Sequence, residues 1–177
     1  MGSKSSGVQE NAPGARGIKT EIPTTMAIRE LTKHKVQFVP YVYKYEERGG
    51  TEVSSRELGF PEHIIIKTLI MEDDKKNPMI VLMHGDREVS TKNLARFLNV
   101  KTISPCRPEI ADKHSGYQVG GTSPFGTKKK MPVYVEESIL GLEKILINGG
   151  KRGFLVALDP KVLIPILNPI LVKIATE

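Results

Sequence analysis

The 177-residue chain has no tryptophan, a single cysteine (Cys106) and only 6% aromatic residues. One cysteine excludes an internal disulfide. No stretch approaches the roughly 18 to 20 apolar residues that a membrane-spanning helix needs. The four histidines, His34, His63, His84 and His114, are scattered. They lack ligand spacing, and neither HExxH nor CxxC occurs, so neither a metal nor another cofactor is expected. Cys106 sits in "SPCRP" with no histidine assignable as its partner, and reads as an inert thiol rather than a nucleophile. These absences together describe a cytosolic protein whose chemistry, if it has any, does not run through a metal or a thiol.

What is present is enough apolar sequence, 39%, for one sizeable core. The 26 Lys and Arg residues outnumber 20 Asp and Glu, giving a net charge of +6 and a pI near 9.4. That excess favours anionic partners without naming one. Residues 1–23 are rich in Gly, Ser and Lys and lack the apolar run of a secretory signal, so they read as a flexible tail. "MGSKSS" fits the short myristoylation pattern, but the tail reading is preferred. The folded domain is expected over residues 24–177.

Within it, "TTMAIRELTKHK" reads as a helix and "VQFVPYVYKY" as a strand. "TEVSSRELG" reads as a short helix capped by Thr51 and stopped by Gly59. "HIIIKTLIM" and "PMIVLMH" form a hairpin around the polar turn "EDDKKN". Ser90 caps an amphipathic helix with Leu94, Phe97 and Leu98 at i, i+3 and i+4. A further helix is expected over "PEIADKHSG". Beyond it come short strands at "YQV", "PVYVE", "KILI" and "FLVAL". Asp159 and Pro160 then open a last helix that Pro165 must kink or shorten. Many short strands without regular βαβ alternation indicate an α+β single domain, with a mixed, barrel-like β-sheet decorated by short helices.

The most unusual residue is Lys67. Its strand carries Ile64, Ile66, Thr68 and Ile70 on one face and Ile65, Lys67, Leu69 and Met71 on the other. Burying an unpaired ammonium costs several kcal/mol, on the order of the desolvation of a charge. Lys67 therefore either snorkels to the surface or forms the floor of a cleft where an anion meets it, and the pattern alone leaves both open. "VGGTSPFGTKKK" is the second candidate. It fails as a P-loop, because Thr127 and Lys128 follow Gly126 in the wrong order. What remains is a glycine-rich loop able to approach a ligand, followed by three lysines. "NGGKRG" at residues 148–153 repeats that chemistry, and the two loops could converge on one polyanion or be simple turns with solvated charges.

"IIIKTLI", "GYQVGGTSPFGTKKKMPVYVE" and "INGGKRG", in that order and spacing, resemble the YbaK/EbsC family of aminoacyl-tRNA editing deacylases from about Thr24 to Thr176. The resemblance implies trans-acting hydrolysis of a mischarged aminoacyl-tRNA ester, most typically Cys-tRNA(Pro). The alternatives are a deacylase for alanine or another small amino acid, and a non-catalytic tRNA-binding module. It implies catalytic roles for Lys67 and Tyr43, and substrate contacts at Gly120, Gly121, Ser123, Pro124, Gly126, Gly149, Gly150, Lys151 and Arg152. It also implies phosphate contacts at Lys128, Lys129 and Lys130, with salt-sensitive binding. The expected partners are the aminoacylated acceptor end of tRNA and prolyl-tRNA synthetase, with neither membrane nor DNA. The protein need supply no nucleophile, since the substrate's own thiol or terminal ribose hydroxyl can take part. Two departures bear on which amino acid is removed. Leu155 stands where the best-known cysteine-specific members have aspartate, and Asn148 where they have serine.

Overall fold

The apolar β-branched runs of the sequence form the middle of one mixed sheet, and both of its faces are covered. The structure, a computed structural model, describes residues 22–176. The expected tail, residues 1–23, lies outside the described residues apart from its last two. In chain order the elements are α1 (Met26–Lys33), β1 (Val39–Val42), α2 (Gly50–Leu58), β2 (Ile65–Asp73), β3 (Pro78–His84) and β4 (Glu88–Val89). They continue with α3 (Thr91–Leu98), β5 (Ile103–Pro105), α4 (Pro108–Ser115), β6 (Val133–Glu136), β7 (Ile145–Lys151) and β8 (Phe154–Leu158). The last are α5 (Leu163–Leu167), β9 (Ile170–Val172) and β10 (Ala175–Thr176). No described helix is long and apolar enough to cross a membrane.

The sheet runs β1-β8-β7-β2-β3-β6-β9, with β5 also paired to β2, while β10 pairs separately with β4. β2 joins β3 antiparallel and β7 parallel, which makes the sheet mixed. The expected barrel-like sheet is thus an open one, with β1 and β9 at its edges rather than closed on each other. On one face Ile66, Ile80, Leu82, Ile147, Phe154 and Val156 join Ala27 and Leu31 of α1 and Phe125 in a continuous apolar cluster. On the other face the apolar packing is divided. Leu58 of α2 covers Ile65, Leu146 and Leu155, and Leu94 of α3 covers Met71, Val81 and Met83. Burial of both faces explains why these strands are continuously apolar instead of alternating.

Local signals were kept in most places. Ser90 caps α3 by accepting from Asn93 N, and Gly59 ends α2 in the left-handed region. The β2–β3 hairpin forms, with Asp73 holding its turn by accepting from the Lys75 and Asn77 amides. Four expectations need correction. Helix α2 starts two residues earlier, with Gly49 rather than Thr51 at its cap; the Thr51 hydroxyl is instead engaged with Glu62 Oε1 and the Gly85 carbonyl. "YQV" is not a strand, because Tyr117 turns inward and donates to the Phe125 carbonyl. On α3 Leu94 is buried and Leu98 packs against the core as expected, but Phe97 is 56% exposed and Ala95 is buried in its place. Finally, the helix after Asp159 is broken into a 3-10 turn, Pro160–Val162, and the five-residue α5 that contains Pro165.

Candidate functional site

The divided face of the sheet places Lys67 at its seam. Ile65 on one side belongs to the cluster under α2, and Leu69 and Met71 on the other to the cluster under α3. The lysine side chain is 18% exposed, and its ammonium reaches Glu88 Oε1 at 3.2 Å. That carboxylate offsets the cost of a charge among apolar neighbours. Glu88 is held out by β4, whose strand pairing with β10 is reinforced by Thr176 Oγ1 donating to the Glu88 carbonyl.

The β2–β7 ladder pairs Ile65 with Leu146 and Ile66 with Ile147. One residue beyond the end of this ladder stand Lys67 and Asn148, which strand alternation puts on the seam face of their strands. Asn148 is 8% exposed and makes three bonds. Its Nδ2 donates to the Gly120 carbonyl at 3.3 Å, and its Oδ1 accepts from the amides of Gly150 at 2.7 Å and Lys151 at 3.1 Å. One amide side chain therefore ties the two glycine-rich loops together. Gly121 lies against the Arg152 and Lys151 backbone so closely that an added Cβ would stand 2.6 Å from Arg152 N. Arg152 Nε donates to the Val119 carbonyl at 2.9 Å, and its guanidinium sits over the Tyr45 ring. A Cβ on Gly120, which has φ +91°, would meet the Tyr45 hydroxyl at 2.5 Å.

Tyr43 follows β1 and shares the seam face, packing against the cluster that contains Leu155, Leu146 and Ile65. Burial, and secondarily the neighbouring Tyr45 hydroxyl, raise its pKa above the ordinary phenol value. Leu155 is 5% exposed and pairs with Tyr41 on one side and Asn148 on the other, so the wall beside Asn148 is apolar at this position.

The sequence-expected residues thus fall into four groups. Gly120, Gly121, Gly149, Gly150, Lys151 and Arg152 come together around Asn148, with Lys67 on the adjoining strand and Tyr43 on the same face. Ser123 and Pro124 are buried, and Ser123 Oγ accepts from the Phe125 amide, so their side chains act within the loop. Gly126 packs against the start of α1. Lys128, Lys129 and Lys130 are exposed, and the amides of the first two bond the Ser115 and His114 carbonyls at the end of α4. Tyr45, Glu88 and Thr25 were not singled out from the sequence. Tyr45 was legible as the next same-face residue after Tyr43, whereas Glu88 and Thr25 reach the site only through tertiary pairing. Among the described residues, no group of three or more His, Cys, Asp and Glu is arranged to hold a metal ion.

The mixed sheet, with one lysine on its divided face and two glycine loops interlocked through Asn148, defines an α+β domain of a recognisable class. The chain belongs to the aminoacyl-tRNA editing domain family, whose model matches residues 46–165, more than half of it. It is 29% identical over 154 residues to the Enterococcus faecalis protein named "Putative Cys-tRNA(Pro)/Cys-tRNA(Cys) deacylase EbsC", covering 86% of this chain and 94% of that one. It is 33% identical over 112 residues to the proline–tRNA ligase of Thermodesulfovibrio yellowstonii, 63% of this chain but only 18% of the ligase. Among solved structures, that of "a putative trans-editing enzyme for prolyl tRNA synthetase" superposes with a TM-score of 0.74 at 18% identity, over 88% of this chain and all of that one. At that identity the likeness bears on the fold.

Proposed function

We propose that residues 24–177 form a trans-acting deacylase that hydrolyses the ester of a mischarged aminoacyl-tRNA, with Cys-tRNA(Pro) as substrate, in the cytoplasm where charged tRNA is used. The observation that carries this reading is the junction at Asn148, which locks both glycine loops together on the strand next to the one that carries Lys67. Hydrolysis of an aminoacyl ester needs little chemical help, because the bond is already activated. The protein has to hold the ester in place and stabilise the negative charge that develops on its carbonyl oxygen. Backbone N–H groups of residues 120–126 supply that stabilisation; those of Gly121 and Phe125 are already committed to Gln118 O and Ser123 Oγ and Pro124 has none, so those of Gly120, Thr122, Ser123 and Gly126 do so. Lys67 exchanges Glu88 for a phosphate or ribose oxygen of the terminal adenosine. Tyr43 shapes the wall, and the substrate's own thiol or ribose hydroxyl assists attack. Water adds to the carbonyl carbon, the bond to the ribose oxygen breaks, and the free amino acid and tRNA leave.

Lys128, Lys129, Lys130 and Lys151 are exposed and meet acceptor-stem phosphates, while prolyl-tRNA synthetase is the partner that produces the substrate. A second reading, removal of alanine, is favoured by Leu155, which makes the wall next to Asn148 apolar. A panel of Cys-, Ala- and Pro-tRNA(Pro) incubated with the protein separates them. Loss of the cysteine ester first supports the main reading and loss of the alanine ester the second, while full retention of every ester sinks both in favour of a binding module.

A further inference from the structure

We infer that Thr25, which lies ahead of the family-matched segment, is a positioning residue for the aminoacyl site; the inference rests on the deacylase reading above. Thr25 is the N-cap of α1, accepting a hydrogen bond from the Ile28 amide at 3.1 Å. The same hydroxyl gives its one hydrogen to the Gly149 carbonyl at 2.5 Å. An oxygen that accepts from a helix N-terminus is a stronger donor through its own proton, because bonds in a chain polarise one another.

The turn it holds is irregular, and from within the glycine loops it is restrained through Asn148 and Arg152. The β7–β8 register shifts between Asn148 and Lys151, and Gly150 takes φ +98°, a conformation that side-chain-bearing residues rarely adopt. Thr25 Cβ lies 3.0 Å from the position a Cβ on Gly150 would take. The next residue holds the other loop. The Met26 carbonyl stands 2.7 Å from the corresponding position at Gly126. The first turn of α1 therefore touches both glycine loops. Ala27 and Leu31, both fully buried, anchor that turn in the continuous core. Asn148 ties the loops to each other, and Thr25 ties them to a rigid post.

Three substitutions separate this role from simple helix capping. Asp is as good an N-cap as Thr, yet its carboxylate has no hydrogen to give Gly149. Ser keeps both bonds, and Val keeps the shape while losing both. With the charged tRNA that the wild-type protein hydrolyses, T25D and T25V are expected to lose about tenfold or more in kcat with KM within about threefold. T25S is expected to stay within about threefold of wild type in both. Amide hydrogen exchange supplies a readout without substrate: residues 149–152 should exchange about tenfold faster in T25D and T25V than in T25S or wild type. Wild-type kcat and exchange in T25D, or in T25V should T25D fail to fold, overturns the inference. If the wild-type protein hydrolyses no charged tRNA, the deacylase reading fails, and the positioning of a deacylation site fails with it. The exchange data then still show whether Thr25 orders the turn.

Discussion

The two faces of the central sheet are built differently. One face is a single apolar cluster closed by α1, Phe125 and the segment around Leu163, with Ile147, Val156 and Leu82 at 0% exposure. The other is split, α2 covering one end and α3 the other, and a lysine stands where the two coverings fail to meet. A continuous face yields stability, and a firm base for the start of α1. A divided face gives up apolar contact at its seam, and there Lys67 stands between the two coverings. Stability and function should therefore be separable by substitutions on neighbouring strands.

The largest effect is expected on the closed face. Ile147→Ala removes a fully buried side chain between Val156 and Ile66, and should cost about 2 to 5 kcal/mol of stability, read by urea denaturation. Its catalytic effect should follow the unfolded fraction alone. Lys67→Ala on the seam is the inverse test. Deacylation should fall by about 100-fold or more, equivalent to roughly 2.7 kcal/mol of transition-state stabilisation. The denaturation midpoint should move little, since the pair it breaks has an 81%-exposed carboxylate. A Lys67→Ala protein that loses its fold, or one that keeps its turnover, would erase the distinction between the faces.

Much of the architecture was legible because local signals and packing agree. Ser90, Gly59 and the Asp73 turn specify their elements with short-range hydrogen bonds, and the apolar runs of β2, β3 and β8 could only be interior strands. The failures have a common physical cause. Tyr117 and Val119 favour strand by type, yet the inward hydroxyl of Tyr117 bonding Phe125 fixes an irregular path. Thr51 has the composition of a cap, but two tertiary acceptors claim its hydroxyl. For the candidate site, the residue types around Gly120–Gly121 and Gly149–Gly150 were visible as motifs. Asn148 showed only as a departure from a family pattern, and its bonding to both loops depends on register that no single segment contains. Glu88 was invisible as the partner of Lys67, because 21 residues and a strand pairing with the C-terminal segment separate cause from contact.

A smaller effect, on pH dependence, sharpens the comparison at the edge of the closed face. His84 is buried, its Nδ1–H donating to the His63 carbonyl and its Nε2 accepting from Ser138 Oγ, each at 2.7 Å. Burial holds its pKa below the ordinary imidazole value. The unfolded chain therefore takes up a proton at His84 before the folded chain does. Stability is retained above the ordinary imidazole value of about 6.5 and lost as pH falls from there toward the depressed folded value. His114, lowered by burial and by Lys129 and Lys113, acts in the same direction. Thermal melts between pH 7 and pH 5 should show this fall, and His84→Gln should flatten it. An unchanged slope in that variant would place the proton uptake elsewhere.

The smallest expected effect lies at the seam itself, and it asks what Glu88 does there. The carboxylate is largely exposed and bonds Lys67 through one oxygen, so the pair contributes about 0 to 1 kcal/mol. If it serves only to satisfy the lysine until substrate arrives, Glu88→Gln removes a competitor for the ammonium. KM for charged tRNA should then fall by up to about fivefold, with kcat unchanged, and the gain should shrink as salt screens both attractions. If Glu88 instead aims Lys67 at the ester, the same substitution lowers kcat and leaves KM alone. Steady-state kinetics at two ionic strengths separate the two outcomes. A fall in KM identifies the charge at the seam as one held in reserve for an anionic ligand, whereas a fall in kcat makes Glu88 part of the machinery that positions Lys67.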